Sequence, residues 1–273
     1  VKIGVFDSGI GGITVLTELK KRFGFVDFVY LGDTAHVPYG TKSPSQIERL
    51  SLDCAKVLKS KGIDAFVVAC NTASSWALTA IEELMAPLPV FGVVVPGVEA
   101  VLSTLGSWVQ RNHNSAVLVL ATKATVQSHA YGRLLRKRLD QAPEFQKNNQ
   151  IPVLEQACPL LVPMIEEGWI DHPILHQTIL EYVSPYVGSY EPGVALLGCT
   201  HYPWIHSAFE KAMPGWKVVN SAWAVAESLQ RSELFQNHEK LRLGPSGTLE
   251  WIFTDPEAVS AFAKQKVSLL SES

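Results

Sequence analysis

Several things are scarce in this chain of 273 residues, and each scarcity narrows its chemistry. No apolar run approaches the ~20 residues that a membrane-spanning helix requires. The most apolar region, residues 90–102, is broken by Pro96, Gly97 and Glu99. The opening Val1-Lys2-Ile3-Gly4-Val5-Phe6 is too short for a secretory leader and reads as a first strand. Charge of one sign is scarce too. The net charge is −3, with no basic patch interleaved with aromatics, which excludes nucleic acid as the main partner. The one dense basic cluster, Arg133, Arg136, Lys137 and Arg138, reads as a solvated helix face. Cysteine is down to four, widely spaced, with no disulfide framework. A reducing cytoplasm is the simplest setting for such thiols. No Cys-x-x-Cys occurs and Cys199-x-His201 is not a usual zinc spacing, so no metal is expected. A Ser-His-Asp hydrolase would need a G-x-S-x-G elbow, which is missing. A dinucleotide loop is also incomplete: Gly9 and Gly11 fit G-x-G-x-x-G, but Thr14 stands in the third place.

What is present is apolar and alternating. Hydrophobic residues make up 47% of the chain, enough for a sizeable core in one long domain or two shorter ones. Apolar runs of strand length fall at 1–6, 28–32, 65–70, 90–95, 116–121, 151–156, 194–199, 216–219 and 249–253. Helix-length segments follow them, at 11–23, 45–61, 72–85, 98–105, 125–139, 161–167 with 173–187, 204–213, 222–231 and 256–264. This alternation predicts an α/β fold with a parallel sheet and crossover helices on both faces. Strands apolar throughout, rather than every second residue, suit sheets covered on both sides. Polar stretches at 110–115, 141–150 and 236–247 read as surface loops.

Two cysteines occupy near-matching settings. Cys70 ends Phe66-Val67-Val68-Ala69 and precedes Asn71-Thr72; Cys199 ends Val194-Ala195-Leu196-Leu197-Gly198 and precedes Thr200-His201. Each reads as a thiol at the tip of a buried strand before a helix, where an open α/β sheet forms its ligand crevice. The pair hints at an internal duplication. Cys54 recurs with Ile47, Leu50 and Val57 at helical spacing, and Cys158 precedes Pro159 without polar company, so both read as packing residues. Asp7-Ser8-Gly9-Ile10-Gly11-Gly12 follows the first strand and offers amides to a carboxylate; Asp7 is either a helix N-cap or a charged site residue. His201, at a helix start, is expected to have its pKa pushed down by the helix dipole, and reads either as a partly exposed cap or as a group that donates to a substrate carboxylate or tunes Cys199. The loop Asp33–Gly40 lies at the ligand end of the sheet.

These residues resemble the glutamate racemase family, within the cofactor-independent aspartate/glutamate racemase superfamily. The matching pieces are residues 4–12, then Gly32-Asp33-Thr34-Ala35 with Val37-Pro38-Tyr39-Gly40, Ala69-Cys70-Asn71-Thr72-Ala73-Ser74 and Gly97-Val98. Ala157-Cys158-Pro159 with Leu161-Val162-Pro163, Leu197-Gly198-Cys199-Thr200-His201-Tyr202-Pro203 and Phe253-Thr254-Asp255 complete the run. The resemblance implies two pseudo-symmetric parallel-sheet α/β domains with the active site in the cleft between them. The first domain is expected to span 1–95 plus 208–273 and carry Cys70, and the second 96–207, carrying Cys199. It implies no cofactor, no metal, glutamate as small-molecule substrate, no membrane partner, a homodimer, a cytoplasmic setting and D-glutamate supply for peptidoglycan. The chain starts at its first strand, so control by a cell-wall precursor through an added N-terminal segment is not expected.

Catalytic residues implied are Cys70, Cys199, Asp7, His201 and Glu166. Substrate is expected on Asp7, Ser8, Tyr39, Gly40, Asn71, Thr72, Thr122, Thr125, Thr200 and His201. One departure is Ala121 where the family usually has Gly, for which a local backbone adjustment is expected. Two bases on opposite faces avoid swinging one base across the α-carbon. A free thiol with pKa ~8.5 needs tuning to serve. Asp7 is expected to assist Cys70, and His201 with Glu166 to assist Cys199, with helix amides lowering both thiols. By resemblance, Cys70 takes the α-proton of D-glutamate and Cys199 that of L-glutamate. Rival readings are a racemase for aspartate or another amino acid, a non-catalytic amino-acid-binding module, a redox protein with a Cys70–Cys199 disulfide, and a pyridoxal enzyme using Lys123.

Overall fold

The computed structural model describes residues 1–106, 115–146, 151–236 and 246–271. The strands form where the apolar runs predict them: β1 (Lys2–Asp7), β2 (Asp27–Gly32), β3 (Ala65–Val68), β4 (Val90–Gly92), β5 (Ser115–Ala121), β6 (Val153–Ala157), β7 (Glu191–Gly198), β8 (Lys217–Asn220) and β9 (Leu249–Phe253). Every pairing between them is parallel. One sheet has the order β4-β3-β1-β2-β9 and the other β6-β5-β7-β8. Parallel strands are buried on both faces here. Val5 and Val67 pack into one core of the first sheet, while Phe6 and Phe66 pack into another on its far side. In the second sheet Leu118 and Leu197 face one core, and Val119 and Leu196 the opposite one.

The two sheets share one topology. Strands β2-β1-β3-β4 of the first correspond in order and direction to β6-β5-β7-β8 of the second, with β9 added at one edge. The hint of duplication carried by the two cysteine turns is thus matched by strand order. The helix after the fourth strand of each set then changes sides. Val94–Gly106 follows β4 but buries Val98, Val101 and Leu105 against the second sheet. Ser221–Gln230 follows β8 but buries Ala222, Val225 and Leu229 against the first. The return to the first sheet therefore begins at Ser221, because β8 pairs with β7, and not near residue 208 as the sequence suggests.

Local chemistry explains the best-formed helices. Pro44–Ser60 opens with a capping box, in which the Ser43 side chain accepts from the Gln46 amide and the Gln46 side chain accepts from the Ser43 amide, and Pro44 takes the first turn. Several boundaries differ from expectation. The strand predicted to 95 ends at Gly92, and a helix starts at Val94; Pro96 lies in its first turn, where a missing N–H costs nothing. The segments 72–85 and 125–139 are each two helices, divided at Ala77 and at His129, which has φ 52°. The last helix is Ala261–Ser271, later than the predicted 256–264. Val57, expected on the buried stripe of its helix, is 41% exposed; Ala55 and Leu58 fill that face beside Cys54.

Of the expected surface loops, 110–114, 147–150 and 237–245 lie outside the described residues. Pro143–Gln146, within the second of them, is a short helix. The basic side chains Arg133, Arg136, Lys137 and Arg138 lie on an exposed face, as predicted. Among the described residues no helix is long and apolar enough to cross a membrane. Ala121 sits opposite Gly198 on β7, whose missing side chain leaves room for the alanine methyl.

Candidate active site

An open parallel sheet binds ligands where its strand order reverses, at the carboxyl ends of the strands. The reversal lies between β1 and β3 in the first sheet and between β5 and β7 in the second. Asp7 ends β1 and Cys70 follows β3; Thr122 follows β5 and Cys199 follows β7. The two crevices face each other and form one cleft. The first sheet contributes Ser8, Tyr39, Gly40, Cys70, Asn71 and Thr72 to its lining, and the second contributes Thr122, Glu166, Cys199, Thr200 and His201. Asp7 and Thr125 stand one layer behind. Apolar Val37, Pro38 and Val162 also line the cleft. Sequence reasoning passed over these three because nothing polar marks them.

Hydroxyls and amides tie the two sides together. Thr200 Oγ1 donates to Asp7 Oδ1 at 3.1 Å, and the Gly9 amide donates to Asp7 Oδ2 at 3.0 Å. Asp7 is thus no helix cap; Gly12 holds that position for Ile13–Arg22. Thr14 Oγ1 donates to the Thr200 carbonyl at 2.9 Å. The hydroxyls of Thr72, Thr122 and Thr125 form a mutual cluster at 2.9, 3.1 and 3.0 Å. Trp76 Nε1 donates to the Ala124 carbonyl at 2.8 Å. Asp33 anchors the Tyr39 loop by accepting the Tyr39 hydroxyl at 2.7 Å and the Thr254 hydroxyl at 2.7 Å. Close backbone approach is built in: a Cβ at Gly40 would meet Thr122 Cβ at 2.6 Å.

The two thiols have different surroundings. Cys70 Sγ donates to Ser8 Oγ at 3.3 Å and accepts from the Ala73 amide at 3.4 Å, as the N-cap of the helix Asn71–Trp76. Burial pushes the Cys70 thiol up to about 12, with the Asp7 charge adding to the rise; Ser8 and the Ala73 amide pull the other way and lose. The expected net lowering by helix amides does not occur at this cysteine, because desolvation outweighs them. Asp7 itself is raised by burial and drawn partly back by His201, the Gly12 and Gly9 amides and Thr200.

Cys199 instead faces a relay. His201 Nδ1 lies 3.9 Å from Cys199 Sγ, and His201 Nε2 lies 2.8 Å from Glu166 Oε1. Burial alone would lower the His201 pKa, but its bonds to Cys199 and Glu166 outweigh that and raise it to about 10. The expected depression by a helix start is therefore overturned, and His201 is 4% exposed, not a partly exposed cap. The two packing cysteines are buried, Cys54 among the apolar side chains under the Tyr39 loop and Cys158 donating to the Gln156 carbonyl at 3.7 Å. All four cysteines are free thiols. Lys123 is exposed and does not line the cleft. Among the described residues, no group of three or more His, Cys, Asp or Glu side chains is placed to hold a metal.

The His201 shift predicts a pH effect. Its pKa is higher in the folded chain, about 10, than the ordinary 6.5, so its stabilising contribution is complete below pH 6.5 and is lost as pH rises through about 10. Glu166→Gln removes one of the two raising partners, so the loss should be smaller and be complete at lower pH. Thermal unfolding followed from pH 6 to 10 checks it; an unchanged alkaline edge contradicts the pairing.

Two like-folded α/β lobes, each turning a thiol into a shared cleft, define a class of protein built to work on one small molecule from opposite sides. The chain belongs to the Asp/Glu/hydantoin racemase family, whose sequence model matches residues 24–229. It is 42% identical over 237 residues to a glutamate racemase of Persephonella marina, covering 87% of this chain and 84% of that protein. It is 40% identical to a glutamate racemase of a Sulfurihydrogenibium species, covering 99% and 94%. The glutamate racemase of Francisella tularensis in complex with D-glutamate superposes with a TM-score of 0.83 at 32% identity, over 98% of this chain and 93% of that one.

Proposed function

We propose that this chain interconverts L- and D-glutamate by moving the α-proton between two cysteines. The observation that carries the reading is the placement of Cys70 and Cys199 in one cleft, each on a different sheet. One thiolate removes the α-proton from one face, and the opposing thiol delivers a proton to the other. Cys199 has a charged helper: a protonated His201, held by Glu166, is the positive partner that a Cys199 thiolate needs. Among the described residues Cys70 has no such helper, and Asp7 beside it disfavours its anion. The substrate's α-ammonium brings the missing positive charge and favours the Cys70 thiolate once bound. Asp7 then acts on Cys70 through charge, while Thr200 links it to the Cys199 side.

Carboxylate groups of the substrate suit the hydroxyls and amides of Ser8, Asn71, Thr72, Thr122 and Thr200. Charge that builds on the α-carboxylate during proton removal is met by these fixed donors. The cleft has about 20 Å³ of free space, room for about one water, so it must widen to take up a glutamate. As domains we propose 1–93 with 221–271 and 94–220, following strand pairing and helix packing. Free thiols accord with a cytoplasmic setting. By resemblance the product serves peptidoglycan synthesis and the chain acts as a homodimer.

The test uses deuterated buffer. D- and L-glutamate should each be converted to the opposite enantiomer carrying one α-deuterium. Conversion without deuterium uptake, or turnover of aspartate at a rate equal to glutamate, sinks this reading.

A further inference from the structure

Asn71 lines the cleft, and its side-chain nitrogen is buried without a hydrogen-bond partner among the described residues, while its side-chain oxygen accepts a hydrogen bond. The Tyr131 hydroxyl, reaching across from the second lobe, donates to Asn71 Oδ1 at 2.6 Å. Ser221 stands close to that hydroxyl: a Cβ at Gly97 would lie 3.2 Å from Tyr131 Oη and 3.4 Å from Ser221 Cβ. A phenol has one proton to give, and Tyr131 gives it to Asn71. The direction of this bond fixes which end of the amide faces Tyr131 and which faces the cleft.

Tyr131 cannot easily relocate its hydroxyl. The ring is fully buried, and glycines box it in: a Cβ at Gly97 would lie 3.1 Å from Tyr131 Cε1, and one at Gly198 would lie 3.4 Å from Cε2. Gly97 belongs to the helix that leaves the first lobe, and Ser221 begins the helix that returns to it. The bond is therefore anchored where the two lobes are joined.

We propose that Tyr131, boxed in at the junction of the lobes, is a positioning residue that turns the Asn71 N–H pair toward a carboxylate of the substrate. A buried donor without an acceptor is costly, and a site keeps one where the ligand supplies the acceptor. With Tyr131 absent, the amide can rotate by half a turn and present its oxygen, which repels a carboxylate. The inference rests on the racemase reading above.

The test is a double-mutant cycle on racemisation of glutamate. Tyr131→Phe keeps the ring and removes the bond; it should raise KM about ten-fold with kcat within about two-fold of the parent. In an Asn71→Ala background the same change should raise KM less than about two-fold, because its target is gone. Should Tyr131→Phe fail to fold, Ser221→Ala replaces it, with a smaller KM rise and the same dependence on Asn71. An unchanged KM, an equal rise in both backgrounds, or a loss confined to kcat overturns the positioning role while leaving the racemase reading intact. A parent chain that does not racemise glutamate overturns that reading, and this inference with it.

Discussion

Cys70→Ala and Cys199→Ala are each expected to lose racemisation by at least about a thousand-fold, the upper range for removing an essential acid–base group. The two variants should fail alike, although the thiols sit in unlike surroundings. Each direction of the reaction needs one sulfur to take a proton and the other to give one, so neither can be spared. Alanine is smaller than cysteine and both sites are buried, so a folded variant is expected, checked by its unfolding temperature. A further constraint comes from the substrate. Enantiomers have equal free energy in water, so kcat/KM must stay the same in both directions in any variant, however lopsided the damage. Cys70→Ser makes this visible. The serine hydroxyl is a far weaker acid than a thiol, yet the loss in kcat/KM must be equal for D- and L-glutamate. A single-cysteine variant that racemises at near the parent rate would falsify the two-base scheme.

Gly11→Ala is expected to cost at least about a hundred-fold in rate, the scale of a 1 Å misplacement of a reacting group. A Cβ at Gly11 would press on His201 Nδ1 and Thr200 Oγ1, and would lie 2.7 Å from His201 Cε1. These atoms are not the ends of loose side chains. His201 is held by Glu166 and faces Cys199, and Thr200 is bonded to Asp7. Either His201 leaves its relay or the lobes part around the methyl group, and both outcomes separate Cys199 from its helper. Overpacking of this kind also costs about 1–3 kcal/mol in stability. Gly62→Ala is the control. Gly62 has φ 66° and nothing within 4 Å of a new Cβ, so that variant should lose about 1 kcal/mol with its rate unchanged. Rates on D-glutamate together with unfolding temperatures distinguish the two glycines. Equal effects from both would remove the steric argument.

The strands were legible because their cause is local. Runs such as Phe66–Ala69 and Val194–Leu197 are apolar on both sides, which marks doubly covered parallel strands wherever they occur. The turns holding Cys70 and Cys199 followed from the same runs, since each cysteine stands at the end of one. Cys54 and Cys158 were separable as packing residues from their neighbours alone. The chain's crossings between lobes were not legible. Nothing in the sequence of Val94–Gly106 states which sheet its valines will cover, since either offers an apolar face. The same ambiguity hid β8 in the second sheet.

Within the site the division is similar. Side chains that the motifs marked line the cleft or stand directly behind it, because strand tips at a topological reversal converge there. Tyr131 escaped notice because it sits in a helix as an ordinary aromatic, sixty residues from the Asn71 it touches. The charge states escaped as well. A histidine at a turn reads as exposed and easily deprotonated, and a cysteine before helix amides reads as acidified. Folding reverses both, by burying His201 between a thiol and a carboxylate and by burying Cys70 beside Asp7.

By itself the sequence determined the α/β class, the strand positions and the two thiols at ligand-facing turns, all consequences of short-range pattern. Tertiary structure alone decided which lobe each crossover helix covers, which cysteine has a positive partner, and how the Asn71 amide is turned. These depend on desolvation and on pairs brought together across the fold, and neither is encoded in the spacing of residues along the chain.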